Sequence, residues 1–350
     1  MEYNTSEMKN LLVDTPNLSV MLPGRCNAKC DFCFWERDNV ANNSLSKDFS
    51  SKLFDYVMEL PECFRQISIT GGEPTISPAL DGVLAVVSRL KASKRIDKVV
   101  LTTNGVRLAK RLPDIVDCVD HINISRHHYD DEENSLIFRT STNPSTIDLF
   151  SIVAAVHCNS PVDICFNCVV PPDVSVEFCE EFIDYGRTVG VKAVSFRIYH
   201  NAMGVCEAEK YYTEKYHAVD VSTCPVCRTA RMLVDGFCVN WKYSVLEPTQ
   251  HWDGVYELVM QPDGRLTADW SGKIEINPKQ LEVPMKKQIL ASDLEIEKVR
   301  LAKELMEMAK KLLGENPSGK EVRGVHETRV VQEDKSYGGR CSHSYGGGCR

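Results

Sequence analysis

The chain has 350 residues, 43% of them hydrophobic and 26% charged, a balance ordinary for globular proteins that allows one large domain plus an appendage. Its formal net charge of -8 provides no electrostatic footprint for general binding to nucleic acid or anionic membranes. The start, Met1-Glu2-Tyr3-Asn4-Thr5, lacks a basic segment followed by an apolar run, and no stretch approaches the roughly 20 apolar residues of a membrane span. The 15 cysteines are therefore read as reduced or metal-binding thiols of a cytoplasmic protein, not as a disulfide framework.

Residues 1–16 are polar and predict an N-terminal arm. Leu18, Val20 and Leu22 then alternate with Asn17, Ser19 and Met21 at the period of a strand, which Pro23-Gly24 stops. From Ser46, an expected N-cap, Phe49, Leu53, Tyr56, Val57 and Leu60 recur at helical spacing until Pro61. Ile67 and Ile69 mark a second strand that runs into Gly71-Gly72-Glu73-Pro74-Thr75. A helix over 78–90 follows, then a third strand over 99–103 that ends at Asn104-Gly105. The fourth strand spans 121–125 and leads into a polar loop over 126–134. A helix over 144–156, a fifth strand over 162–170, a helix marked by Phe178, Phe182 and Tyr185, and a sixth strand over 193–199 complete the series.

Strands alternating with helices predict a parallel α/β sheet, because each parallel crossover needs a helix to cover the sheet. After about residue 205 the pattern changes to two hairpins, turning at Asp235-Gly236 and at Pro262-Asp263-Gly264. Ser292 and Glu295 make a capping box for a final helix carrying Leu294, Leu301, Leu305, Met308 and Leu312, and a polar, Gly-rich tail with Cys341, His343 and Cys349 ends the chain. The expected organisation is an arm over 1–16, a barrel over 17–205, an extension over 206–315 and a flexible tail over 316–350.

The chemistry-bearing stretch is Cys26, Cys30 and Cys33 in the spacing CxxxCxxC on the loop after the first strand. Three thiolates on a cubane of four irons leave one iron without a protein ligand. A zinc knuckle is the alternative, but zinc sites need a fourth ligand and favour two-residue gaps. Gly71-Gly72 at a strand end lets backbone approach a ligand closely.

With Phe32 before the third cysteine, and Gly71-Gly72-Glu73-Pro74 about 40 residues on, the pattern resembles the radical S-adenosylmethionine (SAM) superfamily. The resemblance implies a partial (β/α)6 TIM barrel with a C-terminal extension of hairpins and a helix. It also implies a 4Fe–4S cluster on Cys26, Cys30 and Cys33, and SAM chelated to the open iron. Its SAM contacts fall on Phe32, Gly71, Gly72, Glu73, Pro74, Thr103, Asn104, Ser125, Asn167 and Arg197. The Ser-Leu-Asp pattern of many relatives is replaced by Ser125-Arg126-His127.

His127 and His128 lie just past a strand end and are candidate acids or bases, with a solvated loop as the alternative. Cys224, Cys227 and Cys238 resemble the auxiliary-cluster motif of the molybdenum-cofactor cyclase and SPASM-like branch, with a shorter spacing. They are a candidate second iron–sulfur site, open also to zinc or to reduced thiols, with Cys206 as a candidate fourth ligand. Cys165 and Cys168, three apart on a strand, point to opposite faces and read as packing, as do Cys63, Cys118, Cys158 and Cys179. The expected partners are a peptide or small-molecule substrate and an electron donor such as flavodoxin or ferredoxin. A nucleotide, cofactor precursor or nucleic-acid base is the alternative substrate, and a non-catalytic metal-binding sensor the remote one.

Overall fold

The computed structural model describes residues 12–33, 48–60, 64–199, 206–217, 220–222, 229–243, 250–251 and 254–281. The predicted cap Ser46, the helix over 292–312, the tail cysteines and His343, Cys63, Cys224 and Cys227 lie outside the described residues.

The predicted alternation is present. Strand β1 (Leu12–Leu22) is followed by α1 (Phe49–Glu59), β2 (Phe64–Gly71), α2 (Leu80–Ala92), β3 (Ile96–Thr103), α3 (Leu108–Val116) and β4 (His121–Ser125). Then come α4 (Asp131–Phe138), α5 (Thr146–Asn159), β5 (Asp163–Val170), α6 (Val176–Val189), β6 (Ala193–Ile198) and α7 (Glu207–Tyr216). The extension adds β7 (Asp220–Ser222), β8 (Thr229–Val234), β9 (Phe237–Tyr243), β10 (Gln250–His251), β11 (Gly254–Met260) and β12 (Leu266–Thr267). No described helix is long and apolar enough to cross a membrane.

One face of each barrel strand is apolar and packs under the helices. Ile67, Ile69, Val99, Leu101, Ile122, Ile124, Phe166, Val194 and Phe196 join Leu53, Leu84, Val153 and Phe182 in one core, each such side chain stabilising the fold by about 1.5–3 kcal/mol relative to exposure. The opposite face is polar, carrying Ser68, Thr102, Asn123, Ser125, Asn167, Ser195 and Arg197 at alternate positions. That face is the lumen.

Both expected hairpins form, β8 with β9 and β11 with β12, but they do not stand apart from the barrel. Strand β9 pairs parallel with β6, and β11 pairs parallel with β1. The parallel run is therefore β11-β1-β2-β3-β4-β5-β6-β9, within an open sheet. The extension contributes a wall on each side of the six-strand core. It also explains why β1 begins at Leu12 and not at residue 17, since Leu12 pairs with Val255.

The polar loop expected over 126–134 is in part the helix α4. Asp130 caps it by accepting from the backbone N–H groups of Glu132 and Glu133, and Asp131, Glu132 and Glu133 fill its first turn, where negative charge favours the helix dipole. Arg126 is turned inward and 2% exposed. Its Nη2 donates to Asp131 Oδ1 at 2.6 Å and to the Tyr129 carbonyl at 3.0 Å, and its guanidinium lies 5.2 Å from the Tyr185 ring centre. Cys165, Cys168 and Cys179 are buried as predicted, but Cys158 is exposed near the end of α5.

On the lumen face His121 lies 3.0 Å from Asn123 Oδ1. Burial, aided by Lys98, pushes its pKa down to about 4. An unfolded histidine takes up its proton near the ordinary value while the folded one stays neutral, so folding stability present above that value is lost as pH falls through about 4. Urea titrations of the wild type and of His121→Gln should show the variant losing less stability over this window, by up to about 1.4 kcal/mol per pH unit. Equal losses would contradict the assignment.

Candidate active site

The carboxyl ends of β1 to β6 bring together most of the residues singled out from the sequence. The loop after β1 carries the three cysteines, with Cys26 half-buried, Cys30 buried and Cys33 exposed. A backbone hydrogen bond from Cys33 N to the Cys30 carbonyl (3.3 Å) tightens the turn. The loop is pinned from outside. Lys29 N donates to the Phe138 carbonyl at the end of α4 (2.9 Å), Asp31 pairs with Arg139, and Asn27 Nδ2 donates to Thr142 Oγ1 (2.9 Å) and Asn143 Oδ1 (3.1 Å).

Gly71 and Gly72 do close-approach work, and the partner is the chain itself. Gly71 has φ +132°, and a Cβ there would lie 2.7 Å from the Leu22 backbone nitrogen and carbonyl oxygen. A Cβ on Gly72 would lie 3.0 Å from Arg25 and Gly24 backbone atoms, and Glu73 N donates to the Arg25 carbonyl at 3.3 Å. The absent side chains thus let the strand end lie against the cysteine loop.

Glu73 points its side chain into the protein. Oε1 accepts from Thr75 N (2.9 Å), Thr75 Oγ1 (2.6 Å) and Thr103 Oγ1, and Oε2 accepts from Asn104 N (2.7 Å). Burial pushes this carboxyl above its ordinary range, and the four donated bonds pull it partly back. Pro74 opens the short turn that places Thr75. Thr103 spends its hydroxyl on this network, and Asn104 faces the cysteine loop, donating from Nδ2 to Asn27 Oδ1 (2.8 Å) and Cys26 Sγ (3.7 Å).

The donor set fits a cubane cluster. Among the described residues no three His, Cys, Asp or Glu side chains converge as a single ion would require, whereas a cubane takes its thiolates at separate corners. Burial pushes the Cys26 thiol up to about 11, so a thiolate here needs a cation beside it, and iron supplies one. Ala28 N (3.4 Å) and Asn104 Nδ2 already aim N–H groups at this sulfur, the kind of outer contact that tunes a metal ligand.

The cofactor fits beside it. Asn167, 4% exposed, has an Oδ1 with no hydrogen-bond partner, in register with Ser125 on β4 and Ser195 on β6. A buried orphan acceptor at the site mouth is a place for a ligand hydroxyl or amine. Arg197 lies on the lumen face of β6, where its charge acts on Glu257 of β11. Phe32 packs between His127 and Tyr199.

The two histidines separate. His127, expected on an open loop, is buried; its Nδ1 accepts from Val169 N at 3.1 Å. His128 is half-buried, its ring packed at a tilt against Tyr129 and Phe178 of α6. Cys238, the second residue of β9, lies opposite Ala193, at the other end of the parallel strands from the cysteine loop. Sequence reasoning missed Tyr199, although it alternates with Arg197, and Glu257, whose place beside β1 has no local signal.

Gly71→Ala combines a left-handed backbone with a clash against immobile backbone and should cost about 2–4 kcal/mol, read as a lower urea midpoint. An unchanged midpoint would contradict the close packing of strand end and loop.

Residues 20–186 match the family model described as "Radical SAM superfamily". A GTP 3′,8-cyclase of Chlorobaculum tepidum is 31% identical over 121 residues, covering 34% of this chain and 35% of that one. The match to this relative thus spans about a third of its length. A GTP 3′,8-cyclase of Campylobacter fetus is 23% identical over 248 residues, covering 67% of this chain and 73% of that one. Among solved structures, Streptococcus suis SuiB bound to S-adenosylmethionine has the same fold, with TM-score 0.55 and 16% identity over 77% of this chain and 65% of that one. The class so identified uses a 4Fe–4S cluster and SAM, the two groups that the cysteine loop and the strand ends fit. Through residues 20–186 the chain matches the radical SAM superfamily of enzymes.

Proposed function

We propose that the protein reductively cleaves SAM and uses the product to abstract hydrogen from a substrate held in the barrel lumen, with a peptide as that substrate. The observation that carries this reading is the junction of Cys26, Gly71-Gly72 and Asn104, which pins a three-thiol loop against the end of β2. When bound, the cluster and SAM supply a 5′-deoxyadenosyl radical. Cys26, Cys30 and Cys33 would hold the cluster, the backbone carbonyls of Gly71 to Glu73 would take the SAM amino group, and Asn167 and Ser125 would take its ribose.

The lumen supports a large polar substrate. Serines, asparagines and Arg197 line it, and the sheet does not close, its path ending at β7 on one side and at β10 on the other. The likeness of fold to SuiB, a structure of which is described as bound to the precursor peptide SuiA, is consistent with a peptide. A nucleotide is the second reading, favoured by relatives named GTP 3′,8-cyclase. A one-electron donor such as flavodoxin or ferredoxin reaches the cluster from the side of the exposed Cys33, and a reducing cytoplasm suits an oxygen-sensitive cluster. A second iron–sulfur site on Cys224, Cys227 and Cys238 belongs to the same proposal, within an extension over 206–315.

The test is anaerobic reconstitution followed by chromatography for 5′-deoxyadenosine, with dithionite as the electron source. The wild type should form it and Cys26→Ala should not; its absence from the reconstituted wild type, with SAM bound, would contradict the proposed cleavage. Deuterium carried into 5′-deoxyadenosine from a labelled peptide supports the first substrate reading, and from labelled GTP the second.

A further inference from the structure

Four rings stand in a row behind the cysteine loop. The centroids of Tyr199 and Phe32 are 5.7 Å apart, those of Phe32 and His127 4.8 Å at an interplanar angle of 83°, and those of His127 and Phe138 4.7 Å at 34°. They belong to four separate pieces of chain: the residue after β6, the cysteine loop, the link after β4 and the last turn of α4.

Within this row His127 is the fixed member. Its Nδ1 accepts from Val169 N of β5 (3.1 Å), its N–H donates to Asn134 Oδ1 of α4 (2.9 Å), and its carbonyl accepts from the Cys168 thiol (3.5 Å). An acceptor at Nδ1 leaves the hydrogen on Nε2 and the ring neutral. Burial, with Arg126 adjoining, keeps it so by holding the pKa down at about 3. Phe32 is the opposite case. It lies on a short turn between two cysteines and has no polar group, so ring contacts are what set its orientation.

We propose that His127 is a positioning residue for SAM: backed by Phe138, its ring fixes Phe32, which the family resemblance makes a SAM contact, and with it the backbone between Cys30 and Cys33. A general acid or base is a poor description of a neutral imidazole whose Nδ1 is already spent on Val169. The inference rests on the function proposed above. Binding of SAM by the reconstituted wild type tests that function, while the comparison of variants with wild type tests this one.

The experiment measures SAM affinity of the reconstituted full-length protein, iron per chain, thermal stability, and the EPR spectrum of the reduced cluster with and without SAM. His127→Ala should keep its iron, raise the SAM dissociation constant about 2- to 10-fold, the range expected for losing one aromatic contact, and weaken the EPR change that SAM induces. His127→Phe keeps a ring but loses the Val169 bond; it should melt lower yet bind SAM within about twofold of wild type, less than a lost ring contact allows. If His127→Ala does not fold, Phe138→Leu, which removes the backing ring, is judged by the same measures as His127→Ala.

An unchanged dissociation constant in folded His127→Ala would overturn the proposal. So would loss of iron, which would make His127 a support of the cluster loop alone, and so would equal loss of SAM affinity in His127→Phe, which would give the effect to the Val169 bond. Failure of the wild type to bind SAM would remove the function and this inference together.

Discussion

The carboxylate of Glu73 is the joint on which the site depends. Taking a carboxylate out of water costs several kcal/mol unless its lone pairs are filled, and here four donors fill them, from Thr75, Thr103 and Asn104. The bonds tie the end of β2 to the end of β3. Asn104 passes the connection on to Cys26 and Asn27, and Asn27 passes it to Thr142 and Asn143 beyond α4. A loop with three thiols is thus held by strand ends as well as by its own turn. Placing a site on rigid elements in this way reduces the reorganisation needed when cofactors bind.

The same logic governs the link after β4. Arg126 is a long cation whose burial is made tolerable by Asp131, the carbonyls of Tyr129 and Pro144, and the Tyr185 ring. Asp131 in turn accepts from Thr146 N and Thr146 Oγ1 at the start of α5. The guanidinium therefore organises the link that carries His127 and joins α4 to α5. Ser125 and Asn167 lie side by side on their strands at its start.

Much of this was legible locally. Alternating Ile67 and Ile69, the period-2 run before Pro23, and the spacing of Cys26, Cys30 and Cys33 each express a short-range rule, and each falls where it was expected. The failures have a common cause in long-range pairing or in competing local cues. Helix α4 was hidden by its acidic first turn, whose charge reads as a solvated loop although it is a capped helix start. The partnership of β11 with β1 joins residues some 240 positions apart in the chain and has no local signature. Glu73 was read through its backbone alone, because a glutamate in a Gly-Gly-Glu-Pro turn gives no hint that its side chain turns inward to two strand ends.

The Glu73–Asn104 connection holds the cysteine loop in place before any cofactor binds. The most direct measurement is iron and sulfide per chain after anaerobic reconstitution of the wild type, Glu73→Gln and Asn104→Ala, with circular dichroism to confirm folding. About four irons are expected on the Cys26, Cys30 and Cys33 site of the wild type, with a clear deficit in both folded variants. Full iron with unchanged cluster spectra in both would show that the loop forms its site unaided and would contradict the claim.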